Sequence, residues 1–228
     1  MKKRLIAIDG LDASGKMTQT EMLKEKIAGM GLPYRYLSFP TYDADYSAHV
    51  NMYLKGRFGD DPEIVNPFAA SSFFGADRYC SYMLDWKKDY ENGSIILANR
   101  YTSANAVHQL SKLDESEYDS FLDWLMDYEY NKLGIPKPDA VVYLCVPPEV
   151  SQKMIQHRCD ETGAEKDIHE SNKKHLENST ARDRTVSQPG VLKGLGWNIA
   201  NVYTLDWLDN SDKVIEKLKA EINSAIEK

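Results

Sequence analysis

The architecture of this chain follows from one stretch, Ile8-Asp9-Gly10-Leu11-Asp12-Ala13-Ser14-Gly15-Lys16-Met17-Thr18. Its glycines and lysine fit the motif G-x-x-x-x-G-K-[ST] up to the last position, where Met17 replaces the hydroxyl residue. Glycines let backbone N–H groups turn inward and form an anion nest, and the lysine adds positive charge for the β and γ phosphates of a nucleotide. The stretch therefore predicts a phosphate cradle that lacks its metal-binding hydroxyl.

The context on both sides of the loop is the one that the motif requires. Arg4 to Ile8 has the pattern of a buried strand, and Thr18 to Met30 has that of a helix. The alternative is an ordinary glycine turn that carries a lysine. If the loop does bind ATP, its binding residues are Gly10, Ala13, Ser14, Gly15, Lys16, Met17 and Thr18.

Strand and helix patterns alternate along the rest of the chain. Four further strands are predicted, over residues 34–39, 94–98, 140–146 and 199–205. Helices are predicted over residues 46–56, 67–90, 104–110, 115–133, 167–181 and 212–226. This alternation predicts an α/β fold in which a parallel sheet has helices on both faces and binds its ligand at the carboxyl ends of the strands.

Composition bounds the class of protein. At 228 residues with 42% hydrophobic content, the chain is expected to form one domain, residues 1–228. The net charge of −7 argues against general binding of nucleic acid or anionic membranes. Three cysteines without a C-x-x-C pair indicate neither a disulfide framework nor a zinc site, and fit a reducing cytoplasm. The first apolar run ends at Asp9, too short for a signal peptide or a membrane span.

Seven short motifs in chain order carry a family resemblance. They are Gly10-Leu11-Asp12 with Gly15-Lys16 and Thr18-Gln19, Phe39-Pro40, Tyr53-Leu54 shortly before a glycine, Phe74-Gly75-Ala76-Asp77-Arg78, Asn99-Arg100-Tyr101, Pro136-Lys137-Pro138-Asp139, and Asp167-Ile168-His169-Glu170. Each motif alone is a weak signal. As an ordered set covering most of the chain, they resemble the thymidylate kinases, which transfer the γ-phosphoryl group of ATP to dTMP.

This resemblance implies a three-layer P-loop NTPase fold, with a five-stranded parallel sheet flanked by helices and a short lid at about residues 158–168. It also implies ATP with Mg²⁺, dTMP or a related nucleoside monophosphate as acceptor, and a homodimer. Lys16, Arg100 and Arg158 are the implied catalytic residues, since cations can neutralise the charge of the transferring phosphoryl group.

The resemblance assigns acceptor roles to a set of residues spread over the chain. Asp12 matches the carboxylate that holds the 3′-hydroxyl, Phe74 the aromatic that stacks on thymine, and Arg78 the donor to a base carbonyl. The full implied set is Asp12, Phe39, Leu54, Phe74, Arg78, Arg100 and Asn105. The alternatives are a turn-stabilising role for Asp12, core packing for Phe74, a surface salt bridge for Arg78 and a structural ion pair for Arg100.

Some family members carry an arginine inside the phosphate loop, and others supply the basic group from the lid. Ala13 occupies the loop position in this chain, so the resemblance implies lid bases, chosen from Lys153, His157, Arg158 and Lys166, with Arg158 first. The alternative for this segment is a solvated run of charges.

Four departures from the family pattern bear on the chemistry. Met17 and Asn99 replace a hydroxyl residue and an acid near the metal, Ala104 replaces a serine near the base, and Tyr42 lies where some members have an arginine. A thioether is a poor ligand for Mg²⁺, so no direct protein ligand is predicted; Asp9 and Asn99 are candidates to bind the ion through water.

Because Mg²⁺ binds mostly through ATP phosphates, a slow kinase is the leading hypothesis. The alternatives are a catalytically weakened nucleotide-binding paralogue, a kinase for another nucleoside monophosphate, and a deoxynucleoside kinase with the same core.

Overall fold

The computed structural model describes residues 3–10, 14–146, 153–156, 160, 199–203 and 210–226. Asp12, Ala13, His157, Arg158 and Lys166 lie outside these residues. So do the predicted helix 167–181 and the predicted lid 158–168 apart from Asp160.

Five strands form one parallel sheet in the order β2-β3-β1-β4-β5. Their bounds are β1 Arg4–Gly10, β2 Tyr34–Ser38, β3 Ile95–Asn99, β4 Ala140–Cys145 and β5 Ile199–Tyr203. The predicted five-stranded parallel sheet is confirmed. β1 lies in the middle, between β3 and β4, so the loop that follows it leaves from the centre of the carboxyl edge, where parallel sheets bind their ligands.

Helices cover both faces of the sheet. They are α1 Lys16–Gly29, α2 Ala48–Leu54, α3 Pro67–Ser81, α4 Lys87–Glu91, α5 Thr102–Leu110, α6 Tyr118–Met126 and α7 Ser211–Ile226. A π-helical turn, Tyr82–Trp86, joins α3 to α4, and a second one, Asp127–Lys132, continues α6. The helices predicted over 67–90 and 115–133 are therefore each continuous, and each contains a π-helical turn.

The two faces of the sheet bury different clusters. On one face, strand residues such as Leu5 and Ile96 pack with Trp86, Phe121 and Tyr101 from the helical layer that contains α5 and α6. On the other face, Ile8, Leu144 and Val202 pack against α1 and α7 through Leu23, Val214 and Leu218. Two helical layers around one sheet confirm the predicted three-layer fold.

The turn after β1 requires glycine. Gly10 has a φ of 147°, and a Cβ added there would come within 2.6 Å of the carbonyl oxygen of Leu144. Gly15 has a φ of 86° and forms the N-cap of α1. The helix begins at Lys16 rather than at the predicted Thr18, so Lys16 and Met17 lie in its first turn.

A buried ion pair joins α3 to the π turn that follows α6. Arg78 Nε donates to Glu129 Oε2 at 2.8 Å, and Arg78 Nη2 donates to Glu129 Oε1. Thr102 Oγ1 of α5 donates to the same carboxylate at 2.7 Å. Burial lowers the pKa of Arg78, but the charge and hydrogen bonds of Glu129 outweigh burial and leave that pKa raised. Both side chains are almost fully buried, so the pair is not a surface salt bridge.

Replacing one partner of this pair leaves a buried charge uncompensated. Glu129→Gln is expected to lower the free energy of unfolding by about 3–5 kcal/mol, measured by urea denaturation. The double variant Arg78→Met/Glu129→Leu is expected to lose less, because neither charge remains buried. Glu21→Gln, which breaks the exposed contact with Lys24, is the matched control and leaves the midpoint nearly unchanged. A Glu129→Gln variant as stable as the native chain would contradict the account.

Candidate active site

A cleft opens at the carboxyl edge of the sheet, beside the end of β3. The space between its walls is about 540 Å³, which includes solvent at the open mouth. Its walls come from the loop after β2, from α2 and α3, and from the end of β3 with α5. The lining residues are Phe39, Pro40, Tyr42, Leu54, Phe74, Arg78, Arg100, Tyr101, Ala104, Asn105 and His108.

All six predicted acceptor residues that the structure describes line this one cleft. Phe39, Leu54, Phe74, Arg78, Arg100 and Asn105 come from five separate segments of the chain. Phe74 also packs beside Tyr53, with ring centroids 6.1 Å apart, so it belongs both to the cleft and to a small hydrophobic cluster. The two roles that the sequence leaves open for this residue are therefore compatible.

The phosphate loop carries its lysine folded back over the turn. Lys16 Nζ donates to the carbonyl oxygen of Gly10 at 3.0 Å, and the Lys16 side chain is almost fully buried. Ser14 Oγ is buried and accepts or donates no hydrogen bond within the described part of the chain. Met17 is 70% exposed, and Thr18 is also exposed. The methionine therefore points into solvent and not into the core.

Arg100 occupies an unusual backbone conformation directly after β3. Its φ is 64°, in the left-handed region that non-glycine residues rarely adopt. Its N–H donates to the carbonyl oxygen of Ile8 at 3.0 Å, and its Nη1 lies 3.2 Å from His108 Nε2. Backbone strain of this kind is typical of functional sites, where the surrounding structure over-determines the conformation.

Asp9 and Asn99, the two candidates to bind the ion through water, lie on opposite faces of the sheet. Asn99 is in register with Ile8, so the pleat turns Asn99 towards α1 and Asp9 towards α5. Asp9 accepts a hydrogen bond from Ser103 of α5. Asn99 Nδ2 donates to Ser38 Oγ at 3.3 Å, while its buried Oδ1 has no partner among the described residues.

Burial raises the pKa of Asp9. The Ser103 hydrogen bond and the positive charges of Arg100 and Lys16 offset this in part. A fully buried carboxylate therefore lies close behind two of the cations predicted to bind phosphate.

Three functional positions were not singled out from the sequence. Asp77 accepts hydrogen bonds from Thr41 N at 3.2 Å and from Ser47 Oγ, which fixes the loop after β2 that forms one wall. Glu129 holds Arg78, and His108 contacts Arg100. The signal for Glu129 was present: it follows buried Leu125 by four residues, so it is an acid on an apolar helix face.

The described residues contain no group of three or more His, Cys, Asp or Glu side chains that could hold a metal ion. The unpartnered Asn99 Oδ1 is an oxygen acceptor on the α1 side of the sheet, which suits a water on a phosphate-bound Mg²⁺. In the part of the chain that the structure covers, no helix is long and apolar enough to cross a membrane.

Comparisons with known proteins agree with this geometry. The thymidylate kinase of Mycobacterium tuberculosis is 27% identical over 196 residues, which cover 85% of this chain and 87% of that protein. A probable thymidylate kinase of Thermococcus onnurineus is 30% identical over 176 residues, covering 76% and 80%. The solved structure of thymidylate kinase from Candida albicans matches with a TM-score of 0.65 and 20% identity over 97% of this chain and 94% of that one, which shows the shared fold.

The sequence profile of one family, thymidylate kinase, matches residues 8–187. This match starts inside β1, spans the phosphate loop and every segment that lines the cleft, and covers more than half of the chain. The chain therefore belongs to the thymidylate kinase family.

Proposed function

We propose that this protein transfers the γ-phosphoryl group of ATP to dTMP, giving dTDP and ADP. The observation that carries the proposal is the convergence of six acceptor residues, predicted from separate motifs, on one cleft. Arg100 lines that cleft, and its N–H donates to Ile8 of β1, two residues before Gly10 of the phosphate loop. An acceptor bound in that cleft lies next to the loop from which the phosphoryl group is transferred, and such proximity is a large part of catalysis of phosphoryl transfer.

The cleft suits a pyrimidine base. Phe74 offers a flat ring, and Arg78 and the Asn105 amide offer donors for base carbonyl oxygens. Asn105 is buried, and its Nδ2 has no partner within the described residues. Because Glu129 and the ring of Tyr101 hold Arg78, its guanidinium is oriented before the base arrives.

The phosphoryl group would pass from the β–γ bridging oxygen of ATP to an oxygen of the dTMP phosphate, close to several cations. An oxygen of the dTMP phosphate attacks the γ phosphorus, the bond to the bridging β–γ oxygen breaks, and ADP leaves with that electron pair. Lys16 and Arg100 neutralise the charge on the transferring group, and the N–H groups of the loop and of the first turn of α1 bind the donor phosphates. Arg158 is proposed as a third cation, and Asp12 as the partner of the acceptor's 3′-hydroxyl.

Mg²⁺ would be held chiefly by the ATP phosphates, with Asn99 Oδ1 accepting a hydrogen bond from one of its waters. When bound, the ion supplies further positive charge at the β and γ phosphates. Because Met17 contributes no oxygen, the loop binds phosphate through its backbone and Lys16, and the metal is held less firmly than in a loop that ends in serine or threonine.

Asp9 is proposed to hold two cations in position and not to contact the substrates. Its carboxylate lies on the side of Lys16 and Arg100, and the attraction between these charges holds the two cations at the sheet edge. Burial of this carboxylate costs stability at neutral pH, which is a common trade-off at catalytic sites.

A homodimer in the cytoplasm is proposed as the working form. An aromatic surface runs along α3 and α6. The ring centroids of Phe68 and Trp124 are 4.7 Å apart, and Trp124 stacks on Tyr128 with ring centroids 5.2 Å apart. Phe68 is 43% exposed, so this surface can be covered by a second copy. Sedimentation distinguishes a 26.0 kDa monomer from a dimer.

The reaction itself is tested by an acceptor screen. ADP release is measured with ATP, Mg²⁺ and each nucleoside monophosphate in turn, and dTMP is expected to give the highest kcat/KM. Phe74→Ala is expected to raise the KM for dTMP more than that for ATP, because the stacking surface is on the acceptor side. No turnover above background with any acceptor would exclude the kinase and leave a nucleotide-binding paralogue.

Met17 and Asn99 depart from the family pattern near the metal, so we expect that restoring the family's residues at both positions increases the rate. Met17→Ser with Asn99→Asp is expected to raise kcat by about 10²-fold, the usual size of one well-aimed electrostatic contact. Calorimetry on the native chain is expected to show ATP binding that changes little when Mg²⁺ is chelated. A double variant with unchanged kcat would show that these two positions do not limit the rate.

Asp9→Asn tests how the buried carboxylate affects the stability of the folded protein. Because the folded pKa of Asp9 is raised, the folded protein binds a proton more readily than the unfolded chain, and native stability falls as the pH rises from about 3.9 through that pKa. The variant is expected to be more stable than the native chain at pH 7 and equal to it at low pH, with lower kcat. A variant less stable at pH 7 would show that Lys16 and Arg100 more than offset the burial.

A further inference from the structure

His108 lines the acceptor cleft from α5, one turn after Ala104. Its Nε2 lies 3.2 Å from Arg100 Nη1, within hydrogen-bond distance. Histidine is therefore placed against the cation that the proposed reaction uses on the acceptor phosphate. No motif of the sequence assigned a role to this position.

The chemistry of the contact fixes the state of the imidazole. A guanidinium has five donors and no acceptor, and it stays protonated at every accessible pH. A hydrogen bond between the two can form only if Nε2 of His108 accepts, which requires a neutral ring with its proton on Nδ1. A protonated ring would instead present an N–H to the arginine, and the two positive charges would repel each other.

The direction of the Arg100 guanidinium depends on contacts at the end of its side chain. Its backbone is fixed by the left-handed φ and by the hydrogen bond to Ile8, yet several rotatable bonds separate that backbone from the guanidinium. Asp9 attracts the guanidinium from β1, and His108 accepts from Nη1 on the cleft side. Two groups on different elements thus restrict the direction in which the arginine points.

We propose that neutral His108 is a positioning residue, which holds Arg100 aimed at the acceptor phosphate, and that protonation of His108 releases the arginine and slows the transfer. This inference rests on the proposed function and deepens it. It predicts an acid-side fall in activity that depends on the presence of His108.

Other ionisable groups face the same space. Arg78 from α3, Tyr42 from the loop after β2 and Tyr101 at the start of α5 line the cleft with His108 and Arg100. Two carboxylates lie behind them, Glu129 bound to Arg78 and Asp9 bound to Ser103. The lining contributed by the described residues includes the two arginines Arg78 and Arg100, and like charges this close repel each other.

The test compares two replacements at this position. His108→Gln keeps an oxygen acceptor that does not titrate, and His108→Phe keeps a flat ring without an acceptor. The profile of kcat/KM for dTMP is measured from pH 5.5 to 8.5. The second ionisation of the dTMP phosphate, near pH 6, acts on every variant alike, so the difference between profiles is the readout.

The native enzyme is expected to lose activity towards acid more steeply than His108→Gln, and His108→Gln is expected to keep more of the native kcat at pH 8 than His108→Phe does. His108→Phe is expected to lose up to about 10²-fold in kcat at pH 8 with an unchanged KM for ATP, because the arginine is no longer aimed. His49→Gln, at an exposed histidine of α2, is the control and keeps the native profile. Parallel acid limbs for the native chain and His108→Gln, or a native kcat for His108→Phe, would overturn the proposal.

A second readout keeps this result separate from failure of the kinase reaction. The imidazole resonances of His108, assigned by their loss in His108→Gln, are followed against pH in the native chain and in Arg100→Met. If His108 contacts the guanidinium, its titration midpoint lies at higher pH in Arg100→Met, since a neighbouring cation has gone. The same midpoint in both proteins would overturn the contact even if no acceptor is turned over.

Discussion

The turn at the carboxyl end of β1 is the constraint on which the rest of the site depends. The chain leaves the centre of the sheet at Gly10 so close to the backbone of β4 that a single Cβ would collide with the Leu144 carbonyl oxygen. This turn brings Lys16 back over Gly10 and starts α1 with its N–H groups towards the loop. The neighbouring strand β3 ends beside it, and the Arg100 N–H bonds to Ile8 across that junction. Lys16, on the side of the ATP phosphates, and Arg100, on the side of the acceptor phosphate, therefore lie at the same edge of the sheet.

Charge is distributed unevenly around this edge. Cations face the cleft and the loop, whereas the carboxylates that balance them are buried behind, Asp9 under Lys16 and Arg100 and Glu129 under Arg78. Placing the carboxylates away from the ligand side leaves the cations available to phosphate and base oxygens, and it fixes their positions before a ligand binds. The energetic consequence is that buried charge lowers stability unless each pair stays intact.

Much of the fold could be predicted from the sequence because its signals are local. Strand and helix periodicity, together with the glycine loop, specify the parallel sheet, and the motifs Phe74 to Arg78 and Asn99 to Tyr101 placed the cleft residues. What could not be predicted depends on distant pairing or on exact backbone geometry. Arg78 and Glu129 are 51 positions apart, and the left-handed Arg100 has no sequence signal. The opposite orientation of Asp9 and Asn99 follows from strand register, which only the sheet reveals.

The central claim is that the cleft and the loop together perform transfer between two phosphates and not hydrolysis of ATP. The most direct measurement is the fate of label from [γ-³²P]ATP incubated with dTMP and the purified chain. The account predicts labelled dTDP from the native protein and none above background from Lys16→Ala. Label found only as inorganic phosphate, or no dTDP at any enzyme concentration, would contradict it.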